Sequence, residues 1–243
     1  MFTLFTTDIK HCLIPEVLTL TTTNKPHELC LLAASELQHY LSQNEILNHN
    51  FGLQGVQDST VIGKMFGILV VQLPSGELGY LSAFSGKLGG RNTYPKFVPP
   101  VFDLLTEGSF LNLGMQELTR MNCEIRLLSS DDSHLRGLKV ARRNHSTSLQ
   151  NEIFERYHLL NQAGIYKSLN EIFADMGYKN PPAGAGECAG IKLLQYAYLN
   201  SMKPLALAEF WWGQSPKSST WKHTEFYPCC KEKCEPILKH MLS

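Results

Sequence analysis

Residues 181–242, PPAGAGECAGIKLLQYAYLNSMKPLALAEFWWGQSPKSSTWKHTEFYPCCKEKCEPILKHML, decide the reading of this chain. A glycine-rich turn with a cysteine (Gly184, Gly186, Glu187, Cys188) opens one helix-forming run, and a cysteine cluster (Cys229, Cys230, Cys234) opens another. The apolar segment Leu205–Trp212 between them has the composition of a buried strand. Helix starts present unpaired N–H groups and the positive end of the helix dipole, so thiolates, anions and metals are favoured there. Two such starts meeting at one strand end would form a site.

Outward from this stretch, Val61–Leu73 and Leu78–Phe84 are β-forming runs joined by Pro74-Ser75-Gly76-Glu77, a turn composition that predicts an antiparallel hairpin. The hairpin is expected to share a sheet with 205–212. Further upstream, Met1–Ile9 and Val17–Thr22 read as short strands, and Leu29, Leu31, Leu32, Leu37, Tyr40 and Leu41 as the apolar stripe of a helix from Pro26 to about Gln43. Residues 45–59, polar and punctuated by glycine, read as loop.

Downstream of the hairpin, helices are expected at about Met115–Leu128 and Leu138–Ala163, separated by a polar linker at 129–137, and from an N-cap at Ser168 to about Met176. Residues 114–180 then form a helical insertion in a single α/β domain spanning 1–243. Without the insertion the order is α-β-β-α-β-α, a three-layer arrangement of helices around a mixed sheet.

Composition bounds the function. Lys plus Arg and Asp plus Glu are both 22, so no global basic charge points to nucleic acid, DNA included, and any RNA contact needs a local patch. No run of 18 apolar residues occurs, and Asp8, Lys10 and His11 stand where a signal peptide has its apolar centre, so no membrane is involved and a cytoplasmic location is expected. Seven cysteines in a chain of 243 residues favour reduced thiols or metal ligands over a disulfide framework. Of these, Cys12, Cys30 and Cys123 have apolar neighbours and read as core.

The α-β-β-α-β-α order resembles zinc-dependent nucleoside and nucleobase deaminases, in which one metal ligand opens the helix after the hairpin and two cysteines open the next helix. Their pattern is H/C-x-E followed by P-C-x-x-C, the glutamate being the proton shuttle. Here Glu187 precedes Cys188, Gly190 stands in the shuttle position, and Cys230 and Cys234 are four apart. Cys188, Cys230 and Cys234, with His223 or Cys229 as the fourth, are the soft and borderline ligands that zinc takes. The competing reading is a set of plain reduced thiols. Sulfurs within about 4 Å of one another would favour metal.

Glu187 and Glu209 are the candidate catalytic acids, with Lys192 a partner for either. Lys87, Arg91 and Lys96, interleaved with Tyr94 and Phe97, and Arg142 and Arg143 farther on, are candidate RNA contacts; solvated surface is the ordinary alternative. Trp211 and Trp212 must face opposite sides of a strand, so one reads as core and Trp212 as a stacking surface.

The strings GKMFGILVV, GELGYLSAFSGKLGG, FVPPVFDLL, SLQNEIF, PPAGAGECAGIKLLQYAY, KPLALAEFWWG and FYPCCKEKCEPILKHML resemble, in that order, the N-terminal extension of long-form bacterial RluA-type RNA pseudouridine synthases. The resemblance covers most of residues 61–243. It implies an accessory role in RNA modification, with tRNA or ribosomal RNA, or the synthase catalytic domain, as partner. The family's catalytic H-R-L-D motif is absent here; the nearest string, His134-Leu135-Arg136-Gly137, lacks the aspartate. By that resemblance the chain is a non-catalytic module that binds RNA or a partner protein; the structural zinc is the reading of its cysteines. A zinc hydrolase acting on a nucleobase or nucleoside is the alternative.

Overall fold

The computed structural model describes residues 1–20, 25–43, 49–53, 62–129, 133–216 and 221–243. Its centre is a mixed six-stranded sheet. Strand β1 is Thr3–Leu4, β2 Thr19–Leu20, β3 Lys64–Gln72 and β4 Leu78–Phe84. Helix α1 is Glu28–Gln43, between β2 and β3. The later strands of this sheet are β7, Lys203–Trp212, and β8, Phe226–Tyr227, and the order is β1-β4-β3-β7-β2 with β8 also on β7. β2 runs parallel to β7 and the other pairs are antiparallel. The expected hairpin therefore forms and shares its sheet with the 203–212 strand. Val61 and most of the 45–59 loop lie outside the described residues, as do Thr21 and Thr22.

Helices cover both faces of the sheet. Strand alternation sends Phe66, Ile68 and Val70 to one side, where α1 contributes Leu29, Cys30, Ala33, Ala34, Leu37 and Leu41. It sends Leu69 and Val71 to the other, against Ala189, Leu193, Leu194 and Ala197 of helix α5, Ala189–Leu199. Helix α6, Cys234–Met241, joins that second layer through Ile237 and Met241. Among the described residues no helix is long and apolar enough to cross a membrane.

The 114–180 region departs most from expectation. Helix α2 starts at Phe110 rather than Met115, because the Ser109 side chain caps it by accepting from the Asn112 amide at 3.2 Å, and it runs to Leu127. Helix α3 spans Ser133–Arg156, so residues 133–137 are helical and not linker; residues 130–132 lie outside the described residues. It also stops short of Ala163. His158–Leu160 (β5) and Tyr166–Ser168 (β6) form a small hairpin, closed by Asn161 Oδ1 accepting from the Ile165 amide at 2.7 Å and by Gly164 at φ 82°. That turn chemistry overrides the apolar stripe. Helix α4, Leu169–Asp175, carries the expected Ser168 cap, completed as a capping box by Glu171.

Candidate metal centre

Cys188 is the N-cap of α5 and makes no side-chain capping bond, so its sulfur is free to turn away from the helix. The chain reaches it through Gly184 and Gly186, at φ 76° and 86°, where a side chain is strained. A Cβ on Gly186 would also lie 2.7 Å from the Tyr157 ring, so only glycine lets this turn pack against the α3–β5 junction. Gly67, in β3, lets α5 approach the sheet: a Cβ there would lie 2.9 Å from the Ala189 Cβ.

Cys234 is the first residue of α6, and Pro236 sits in its first turn, where the missing N–H costs nothing. The Cys230 carbonyl accepts from the amides of Cys234 and Glu235 at 3.2 and 3.1 Å, which folds the two cysteines onto one turn despite their four-residue spacing. Their sulfurs are 3.4 Å apart. The sulfur of Cys188 joins them, and all three lie within 4.8 Å of one another. Zinc–sulfur bonds of about 2.3 Å in a tetrahedron require separations of about 3.8 Å, so the group, spread over as much as 4.8 Å where about 4 Å was expected, has to close by up to about 1 Å to share one ion. The three thiols are coupled: hydrogen bonds from its two neighbours lower the Cys230 thiol, while Cys188 and Cys234, the two at the helix starts, are pushed above the usual thiol range.

The two candidates for a fourth ligand have other partners. His223 Nδ1 accepts from the Gly213 amide at 2.9 Å and its ring packs 4.4 Å from that of Trp212, outside the three-thiol group. Cys229 donates to the carboxylate of Glu209, and burial, reinforced by that charge, pushes its thiol well above the usual range.

The two acids separate sharply. Glu187 accepts from the Tyr157 hydroxyl and lies 3.7 Å from the ammonium of Lys192, which is 2% exposed and donates to the Phe84 and Gly86 carbonyls at 3.1 Å each. Burial raises the Glu187 carboxyl above its usual range, with Lys192 opposing. Glu209, on β7, is 6% exposed and accepts the Gly190 amide hydrogen at 2.9 Å. Burial raises it too, and its charge acts on Cys188, Cys229 and Cys234. It is Glu209, not Glu187, that adjoins the thiols.

The candidate RNA contacts are dispersed. Lys87 and Arg91 are exposed, and Lys87 follows Gly86, whose amide donates to the Glu187 carbonyl at 2.9 Å, so this basic loop borders the centre. Lys96 is half-buried, with its ammonium 4.8 Å from the centre of the Tyr40 ring. Tyr94 and Phe97 are core residues. Arg142 bonds Asn122 of α2 at 3.1 Å, and Arg143 is exposed. Trp212 is 6% exposed and Trp211 4%, so Trp212 offers no stacking surface: both faces of β7 are covered at this end. Cys12 and Cys30 are buried as expected, but Cys123 is exposed on α2. Comparison of the chain with protein-family models, curated proteins and solved structures gave no match.

Proposed function

We propose that this chain is a zinc-holding module of an RNA-modification system, one that does not itself isomerise uridine. The observation that carries the metal is the convergence of the Cys188, Cys230 and Cys234 sulfurs from two helix starts. These sulfurs belong to segments about 42 residues apart, so a metal shared between them ties α5 to α6 and adds its binding energy to folding. The RNA part rests on the resemblance of residues 61–243 to the extension of pseudouridine synthases. Exposed Lys87, next to Gly86 at the edge of the centre, and exposed Arg91 farther along the same loop support it, since cations there would meet a phosphate backbone. The missing H-R-L-D aspartate leaves no nucleophile for the isomerisation.

Elemental analysis of protein purified without chelator is the first test. About one zinc per chain is expected, lost in Cys230→Ser and Cys234→Ser together with thermal stability. Less than about 0.2 zinc per chain, with melting indifferent to chelator, refutes the metal. The same preparation should retain tRNA or ribosomal RNA fragments in a salt-dependent manner, weakened by Lys87→Ala/Arg91→Ala, and form no pseudouridine. Retention unaffected by the double substitution would place RNA elsewhere or make a protein the partner.

A second reading, a deaminase-like zinc hydrolase, is favoured by one specific observation. This reading takes α1, β3, β4, α5, β7 and α6 as the deaminase-like set, leaving aside 114–180 and the short strands β1, β2 and β8; what supports it is that Cys188 and Cys234 stand at the starts of α5 and α6. Three protein ligands are also the complement of catalytic zinc sites, which keep a fourth position for water or substrate.

A further inference from the structure

On the α1 face of the sheet, away from the thiols, a cavity of about 420 Å³ lies between β1, the last two turns of α1, β4 and the turn at 94–97, with Glu36, Tyr40, Tyr80 and Lys96 in its wall. The turn is built on Pro95, and the Phe97 amide closes it by donating to the Tyr94 carbonyl at 3.3 Å. Its third residue is Lys96 at φ 77°, a position where glycine or asparagine is ordinary and lysine is strained. What the strain achieves is placement. The Lys96 ammonium stands 4.8 Å from the centre of the Tyr40 ring and 5.9 Å from that of Tyr80, and it makes no hydrogen bond or ion pair with any described residue. Glu36 carries the opposite charge in the same wall, yet the two do not pair, because Glu36 is held elsewhere. Its Oε1 accepts from the Thr6 amide at 2.8 Å, the Thr6 hydroxyl at 2.7 Å and the Thr7 amide at 3.2 Å, and its Oε2 from the Tyr80 hydroxyl at 3.0 Å. With that single donor Oε2 keeps room for another.

We propose that this cavity binds a small zwitterion of the free α-amino acid class, its carboxylate on the Lys96 ammonium and its own ammonium on Glu36 Oε2. A cation and an anion fixed in one cavity and kept from pairing with each other complement a molecule that carries both signs. The space suits a ligand of that size, since it falls at the small end of ordinary ligand pockets. The two tyrosines add a surface on which a ligand ammonium is attracted to the ring faces. His39 and Gln43, exposed at the same cavity, are left to select among side chains. This role takes Lys96 out of the candidate RNA contacts. The site shares no residue with the three-thiol group, so it stands or falls independently of zinc and of RNA.

The test is isothermal titration of the full chain with each of the common amino acids. At least one should bind with a Kd below about 1 mM, and its N-acetyl form, which lacks the cation, and its amide, which lacks the anion, should each bind at least about 10-fold more weakly. Lys96→Met keeps an apolar stem over the tyrosine rings and should weaken binding about as much as the amide does. Lys96→Gly relieves the turn, so it should abolish binding while melting at or above the temperature of the parent. That combination separates a lysine held for a ligand from one held for the fold. No amino acid binding below about 1 mM overturns the inference. An N-acetyl form bound as tightly as its parent amino acid makes this a plain anion site and overturns it too. Undiminished binding in Lys96→Met puts the ligand elsewhere, and a lower melting temperature in Lys96→Gly makes Lys96 a brace for the tyrosines; either result overturns the assignment.

Discussion

Lys192→Met should destabilise the chain by about 2–4 kcal/mol, and Glu187→Gln added to it should cost less than the two changes separately. Lys192 is 2% exposed, and its ammonium donates to the Phe84 and Gly86 carbonyls at 3.1 Å while standing 3.7 Å from Glu187 Oε2. Methionine fills nearly the same volume, so packing loss is small and the polar loss dominates. Two buried acceptors lose a charged donor, at about 1–3 kcal/mol each when left unsatisfied. Against this, the folded state no longer desolvates an ammonium, which returns part of the cost. The Glu187 side chain, 21% exposed, is left without its cation, so neutralising it in the double variant should recover about 1 kcal/mol. Urea unfolding followed by far-ultraviolet circular dichroism measures all four corners of the cycle, with the slope checked for constancy. A Lys192→Met change within about 0.5 kcal/mol of neutral, or strict additivity with Glu187→Gln, would refute the view that this pair braces the turn before Cys188.

The two glycines of that turn should respond differently. Gly184→Ala, at φ 76° with only the Lys233 Nζ at 3.6 Å from the new Cβ, should cost about 1 kcal/mol, the left-handed penalty alone, whereas Gly186→Ala adds a 2.7 Å approach to the Tyr157 ring and should cost about 2–3 kcal/mol. Equal losses in a thermal melt would argue against the packing contact. At Glu36, burial opposes ionisation but is outweighed by bonds from Thr6, Tyr80 and Thr7, which hold the carboxyl below its usual value. Its stabilisation is therefore complete above the ordinary glutamate pKa and is lost as pH falls through the lowered one, so the parent should lose its advantage over Glu36→Gln in acid; a stability difference between the two that does not shrink below about pH 4 would contradict this.

Much of the scaffold was legible locally. The hairpin at 64–84 follows from β-forming runs around Pro74–Glu77, the α4 cap from Ser168 and Glu171, and the α5 start from the Gly184–Gly186 turn, because each is determined by neighbours within a few residues. Where local signals compete, the sequence misled: α3 reads on to Ala163 by its apolar stripe, yet Asn161 and Gly164 turn the chain back as a hairpin. Single exposures were equally out of reach. Whether Trp212 stacks on a ligand or fills the core depends on what lies across both faces of β7, and no periodicity within 203–212 carries that information.

The candidate centre divides in the same way. Sequence alone determined that thiols stand at two helix starts and that glycine occupies the position two residues after Cys188, since both are statements about order along the chain. Only the tertiary structure decided which groups meet. It folds Cys230 and Cys234 onto one turn in spite of their spacing, engages His223 at Gly213, turns Glu187 towards Tyr157 and Lys192, and brings Glu209 across from β7 to the Gly190 amide. The physical reason is the close approach of α5 to the sheet over Gly67: that contact joins residues over a hundred positions apart, and the distance between them is fixed by packing rather than by sequence.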